Sequence, residues 1–175
     1  MITCPYCSSE NIEGVDHCDD CGTSLMDSHL TPPANDVERG LLRDRVAVLG
    51  PKAPITVPPH APVGDALRLM VDHGIGCVVV ADKGKAVGIF SERDALRKLN
   101  VRAGELATRP VREFMTSAPQ TLLATAKIAY AVQRMDMGGY RHLPVLDDRG
   151  DLMGIISARD ILGYLTSKMA AKSTL

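Results

Sequence analysis

Apolar and polar positions run through the same order twice along most of this chain. In 63–72 the apolar residues Leu67, Met70 and Val71 recur at helical spacing, and 126–137 carries a matching stripe, so each stretch predicts an amphipathic helix. Gly74 and Gly139 stand where those helices should stop. Apolar runs at 77–81 and 143–146 predict buried strands, followed by polar turns at 82–85 and 147–151. Second strands are expected at 86–90 and 152–156, each leading into a helix with Ser91 or Ser157 at its N-cap. Short extended pieces at 55–57 and 120–122 precede the first helices.

The two series align residue by residue. At an offset of 65, Ala66 meets Ala131, Met70 meets Met135, Val80 meets Val145 and Asp82 meets Asp147. One extra residue in the second turn raises the offset to 66, and Gly88-Ile89-Phe90-Ser91-Glu92-Arg93-Asp94 then falls on Gly154-Ile155-Ile156-Ser157-Ala158-Arg159-Asp160. The chain holds two copies of one β-α-β-β-α unit. A single copy leaves one face of its small sheet bare, and two copies packed face to face bury it. The expected class is α/β (α+β), tandem units with pseudo-twofold symmetry.

Four of the five cysteines precede the repeat, as Cys4-Pro5-Tyr6-Cys7 and Cys18-Asp19-Asp20-Cys21. The spacing C-x2-C-x10-C-x2-C predicts two knuckles whose turn amides point at the sulfurs and close on one ion with four thiolates. Such a shell leaves no vacancy, so the site is structural. A segment of this size cannot bury enough surface to fold unaided, and metal would supply about 10 kcal/mol of its folding free energy. The stretch resembles a short zinc ribbon; a rubredoxin-like iron site uses the same ligands and stays open. His17 abuts Cys18 but reads as a surface residue, since the thiolates already fill the shell, and Gly22 takes the left-handed turn after the second knuckle. The organisation read from the sequence is ribbon 1–25, linker 26–40 with Pro32-Pro33, first repeat 41–110 and second repeat 111–170. Within the linker, Asp36-Val37-Glu38-Arg39 starts a short helix capped by Asn35 or Asp36.

Composition narrows the function classes. Apolar residues make up 45% and charged residues 23%, the balance of a globular protein, while aromatics are 3% and Trp is absent. Val, Ile, Leu, Ala and Met must therefore build the core, with Met70, Met115, Met135 and Met153 read as core filler. Net charge is −1, so no global positive field draws the protein to nucleic acid. The ribbon carries Glu10, Glu13, Asp16, Asp19 and Asp20, with no Lys or Arg before Arg39, which favours protein docking over phosphate contact. The apolar run 77–81 is too short to cross a bilayer, and Met1-Ile2-Thr3-Cys4 does not open a secretory signal. A cytoplasmic protein without membrane association is expected.

The pattern Thr56-Val57, Ala66-Leu67, Met70, Gly74, 78–80, Asp82 and 88–94, followed by Gly139-Tyr140-Arg141-His142-Leu143-Pro144-Val145-Leu146-Asp147 and 154–160, resembles the CBS motif pair. It spans about residues 41 to 168, with 111–115 as the lead helix of the second motif. The resemblance implies two clefts that bind an adenosine-type nucleotide, not catalysis. In ligand-binding members the aspartate of G-h-x-[ST]-x-x-D accepts ribose hydroxyls, while the Ser or Thr and free helix-start amides hold phosphate. Carried over, the first site uses Ser91, Arg93 and Asp94, with Thr121, His142 and Pro144 from the second repeat. The second site uses Ser157, Arg159 and Asp160, with Thr56, Cys77 and Val79. His142 corresponds to Cys77, and Arg141 to Gly76, so the Asp94 cleft is expected to take the more highly charged ligand or to be the only one occupied.

The same residues have plainer roles. Ser91 and Ser157 cap helices in any protein, Asp94 and Asp160 suit a first helical turn, His142 suits a strand edge, and Cys77 reads as an inert core thiol. No P-loop, nucleophile elbow or H-E-x-x-H motif occurs, so a non-enzyme is expected. The leading reading is a homodimeric sensor of AMP, ATP or a related adenosyl compound, signalling to an unidentified protein partner through the ribbon. The alternatives are a nucleic-acid or transcription-linked regulator, not favoured, and a ligand-free dimerisation scaffold.

Overall fold

The computed structural model describes residues 1–4, 6–12, 15–25 and 35–170. Pro5, Glu13 and most of the expected linker (26–34, with Pro32-Pro33) lie outside the described residues.

In chain order the elements are β1 (Ile2–Thr3), β2 (Glu10–Asn11), α1 (Asp36–Arg43), β3 (Thr56–Val57), α2 (Val63–Asp72), β4 (Cys77–Asp82), β5 (Lys85–Ser91), α3 (Glu92–Asp94), α4 (Ala103–Leu106), β6 (Thr116–Ser117), β7 (Leu122–Leu123), α5 (Ile128–Gly138), β8 (His142–Leu146), β9 (Leu152–Ser157) and α6 (Ala158–Ala170). The expected lead helix at 111–115 is a 3-10 turn, Val111–Glu113. Hydrogen-bonded order is β1-β2, β3-β4-β5-β6 and β7-β8-β9. Parallel β3 meets β4 at Thr56↔Val79, and antiparallel β4 meets β5 from Cys77↔Ser91 to Asp82↔Lys85, with a shift between Val80 and Ala81.

The chain forms two compact units: 1–51 with 122–143 and 156–175, and 52–121 with 144–155. The second has its own core, where Val57, Val63, Ala66, Met70, Val78, Val80, Phe90, Leu99, Val111 and Phe114 pack together. Val63, Ala66 and Met70 form the inward stripe of α2, whereas Val71 is 79% exposed. Its position, one residue past Met70, turns it off that stripe. Met153 is 50% exposed on β9, between half-buried Leu152 and buried Gly154, so it faces outward and is not core filler; Met70 and Met135 are buried. Cys77 is buried, and that burial pushes its thiol up to about 12.

In the first unit, Asn35 accepts a hydrogen bond from the Glu38 amide at 2.9 Å, which makes Asn35, not Asp36, the cap of α1. Gly40 on α1 is buried against the Tyr164 hydroxyl of α6, where a Cβ would collide with it. Gly139 ends α5 with φ 61°, and Gly74 follows α2 with φ 61°, as the helix-stop reading requires.

The two copies differ in their last helix. α6 runs unbroken through 13 residues, but α3 passes into a π turn at Ala95–Leu99 and a 3-10 turn at Asn100–Arg102 before α4. Asn100, at φ 46°, interrupts the ladder; asparagine tolerates positive φ better than most side chains.

Candidate functional site

Cys4, Cys7, Cys18 and Cys21 converge. Their sulfurs all lie within 4.8 Å of one another, with Cys4–Cys21 at 3.6 Å and Cys7–Cys18 at 3.5 Å. Tetrahedral thiolates about 2.3 Å from zinc stand about 3.8 Å apart, so the donor set fits a closed four-sulfur metal centre. Each knuckle is a turn closed by backbone bonds, Ser8 N to Cys4 O at 2.9 Å and Gly22 N to Cys18 O at 2.8 Å. Amides of Cys7 and Tyr6 reach the Cys4 sulfur, and those of Cys21 and Asp20 reach Cys18. The Cys21 amide leads in lowering the Cys18 thiol to about 6, while burial pushes Cys4 up to about 12. Asn11, buried to 2% exposure, locks the second knuckle: it accepts from the Asp19 amide at 3.0 Å and sets its Nδ2 3.5 Å from Cys18 Sγ.

The cysteine-bearing N-terminal segment is seated on α5. Tyr6, inside the first knuckle, stacks on Tyr130 with ring centroids 5.3 Å apart, and the Arg134 guanidinium lies 5.5 Å above Tyr6. Arg45 ties Ser8 (3.1 Å) to the carbonyl of Thr125 (2.5 Å). The sequence reading missed these contacts, which join distant positions that carry no periodic signal.

In the other unit, Ser91 and Asp94 form a capping box. The Ser91 hydroxyl donates to Asp94 Oδ2 at 2.6 Å and the Ser91 amide donates to the same oxygen at 3.1 Å. Asp94 Oδ1 accepts from the Thr116 hydroxyl at 3.0 Å and from Lys98 Nζ at 2.8 Å. A carboxylate offers about four acceptor positions, and these partners fill them. Burial acts to raise the Asp94 pKa, but the hydrogen bonds from Lys98 and Ser91 outweigh it and hold the carboxyl below its usual range. Lys98 also donates to the carbonyls of Phe114 (2.7 Å) and Met115 (3.0 Å). Neither Lys98 nor Thr116 was singled out from the sequence, although Asp94 and Lys98 at i and i+4 are a readable helical ion pair.

The second copy repeats the local chemistry. Ser157 donates to Asp160 Oδ2 from its hydroxyl at 2.6 Å and its amide at 2.7 Å. The counterpart of Lys98 is Tyr164, whose hydroxyl turns away to donate to Asp44 Oδ2 at 2.7 Å. Arg93, Arg159 and Thr56 are exposed, Thr121 and His142 are half-buried, and Pro144 is buried within β8. Thr121 and Pro144 belong to the same unit as Asp94, whereas His142 belongs to the unit of Asp160. Thr56, Cys77 and Val79 are side by side in the four-stranded sheet, in the unit that also holds Asp94.

Comparison with known proteins gives the setting. The family model of the CBS domain matches residues 51–101 and 111–167. A 17.7 kDa protein of Acidianus ambivalens is 32% identical over 106 residues, 60% of this chain and 63% of that one. Inosine-5'-monophosphate dehydrogenase of Methanocaldococcus jannaschii is 36% identical over 119 residues, 67% of this chain but 23% of the enzyme. The structure of a CBS domain protein from Pyrobaculum aerophilum complexed with AMP is 27% identical with a TM-score of 0.61, covering 70% of this chain and 98% of that one. The matches span 63%, 50% and 48% of three of the curated relatives, so the chain corresponds to only part of each. No helix among the described residues is long and apolar enough to cross a membrane.

Proposed function

Because this chain belongs to the CBS domain family, we propose that it is a regulatory, non-catalytic module that senses an adenosine-type nucleotide. The observation that carries this reading is the doubled Ser–Asp pair: Ser91–Asp94 and Ser157–Asp160 each set hydroxyl against carboxylate at 2.6 Å. A relative of the same fold was solved with AMP. Asp94 and Asp160 serve as acceptors for ribose hydroxyls, with Ser91 and Ser157 beside them for phosphate. Arg93, Arg159, Thr56, Thr121, His142 and Pro144 complete the binding set. Phosphate held by helix-start amides suits α6, where 13 continuous residues align their dipoles, better than the interrupted α3. To act as a switch, the ligand must bind two conformations with different affinity.

Zinc, held by Cys4, Cys7, Cys18 and Cys21, folds the ribbon without entering chemistry, since four protein thiolates complete its shell. The module acts in the cytoplasm as a homodimer and signals to a protein partner. The match to only 23% of a dehydrogenase accords with a shared regulatory part.

A thermal-shift panel of adenosine, AMP, ATP, S-adenosylmethionine and GMP tests the reading, with metal analysis of the same sample. A ligand at a hundred times its dissociation constant stabilises the folded state by about 2.7 kcal/mol, a shift of several degrees for a chain of this size. No shift with any adenosine compound overturns it. A ligand-free dimerisation scaffold is the second reading; the filled acceptor positions of Asp94 favour it.

A further inference from the structure

Asp94 has a residual exposure of 8% and meets three side chains that already occupy its carboxylate: Ser91 on Oδ2, and Thr116 and Lys98 on Oδ1. A ribose with two neighbouring hydroxyls needs acceptor positions on that carboxylate. The Ser91 amide contact belongs to the capping box and cannot be surrendered without weakening the cap of α3. The Oδ1 contacts can be: Thr116 is exposed at the end of the sheet, and Lys98 has the carbonyls of Phe114 and Met115 to fall back on.

Resting on the nucleotide-sensing reading, we propose that Lys98 and Thr116 form a latch on Asp94 that a bound nucleoside must displace, so that Lys98 sets the ligand affinity of this site. The lysine is suited to the part because its ammonium has three donors, two of which are spent on carbonyls whether or not Asp94 is engaged. Release of Asp94 therefore costs one charged contact at a partly solvated position and leaves the ammonium hydrogen-bonded. At the matching place of the second copy stands Tyr164, a neutral side chain whose hydroxyl donates to Asp44, so the lysine is particular to the first copy. The sequence expectation that the Asp94 side takes the more charged ligand rests on His142 and Arg141; the latch acts on the ribose acceptor and so on nucleoside affinity.

Equilibrium titration of adenosine and AMP into the full chain tests this, with wild type, Lys98→Met, Lys98→Arg, Asp94→Asn and the Lys98→Met/Asp94→Asn double variant compared. Lys98→Met keeps the stem and removes the competing donor, and should tighten adenosine binding about fivefold, equivalent to roughly 1 kcal/mol. Lys98→Arg restores a cation and should return affinity toward wild type, and Asp94→Asn should abolish the gain when combined with Lys98→Met. Unchanged adenosine affinity in Lys98→Met overturns the latch while leaving the sensing reading intact. Weaker binding of AMP but not adenosine also overturns it, because the lysine would then be a phosphate contact. Failure of every variant and of wild type to bind either probe removes the sensing reading and the latch with it. Melting temperature of each variant separates loss of fold from loss of binding.

Discussion

The ring of Tyr6 lies 5.3 Å from that of Tyr130 at a 45° tilt, so a residue between two candidate metal ligands is also the contact that seats the ribbon on α5. Arg134 closes over the same ring from one turn further along the helix. The proposed metal centre and the position of α5 would thereby be joined: closing the first knuckle fixes Tyr6, and Tyr6 is what Tyr130 packs against. A docking arm on a loose tether would have no such anchor.

Stripping the metal with a chelator should therefore be felt beyond the ribbon. The proposed metal would supply about 10 kcal/mol to folding a segment of this size, so the described residues of 1–25 should lose protection from amide exchange. The exchange of α5, Ile128–Gly138, should quicken in step as Tyr130 loses its cover. Cys18→Ser should reproduce both effects without chelator. Protection of α5 unchanged on metal removal would show that the stack carries no coupling.

The core of the second unit predicts a large effect from one side chain. Phe90 is fully buried in β5, opposite Val78 on β4, within the core cluster that also holds Val63, Val80 and Phe114. Phe90→Ala should cost about 3–5 kcal/mol by the transfer and cavity terms together. Urea unfolding would read this as a lower midpoint with little change in slope. A cost below about 1 kcal/mol would mean that β5 does not hold this core.

Legibility in the sequence followed the range of the physics. Ser91 with Asp94, and Ser157 with Asp160, are local cap chemistry three residues apart, so their pairing could be read from the chain. The strands and α2 followed from periodicity, because burial on one face imposes it. Val71 and Met153 were misplaced since apolar character alone does not say which side of a helix or strand faces the core. The interruption at Asn100, beyond the π turn, lies in one backbone angle, which a repeat alignment with an unbroken partner conceals. Tyr6 on Tyr130, and Thr116 on Asp94, join distant positions that leave no mark in spacing.

Acid should weaken the fold through Asp94. Its folded pKa lies below the ordinary carboxylate value, so the unfolded chain takes up the proton first as pH falls. The stabilisation is complete above the unfolded pKa and is lost as pH drops through the depressed folded value. Asp94→Asn should be less stable than wild type by about 2 kcal/mol at pH 7, the scale of hydrogen bonds to a charged group. The gap should narrow below about pH 4, where the unfolded carboxylate is protonated. Unfolding midpoints at pH 7, 5 and 3 measure it; a gap that is constant with pH would assign the loss to packing instead.

Tyr164 joins α6 to the end of α1 through its hydroxyl, which donates to Asp44 Oδ2 at 2.7 Å, while Lys168 lies 3.0 Å from the same oxygen. The Tyr164 hydroxyl, followed by Lys168, holds the Asp44 carboxyl below its usual range. Tyr164→Phe keeps the ring and removes the donor, and should cost about 1 kcal/mol near neutral pH. By the same sign as for Asp94, that cost should shrink as Asp44 becomes protonated at low pH. Gly40→Ala attacks the contact from the other side, because the new methyl would occupy the place of the Tyr164 hydroxyl and push it off Asp44. Combined with Tyr164→Phe, which vacates that place, the alanine should be better tolerated than alone. A double-mutant cycle on unfolding free energies measures this coupling; strict additivity would show that Gly40 and Tyr164 do not share the space between α1 and α6.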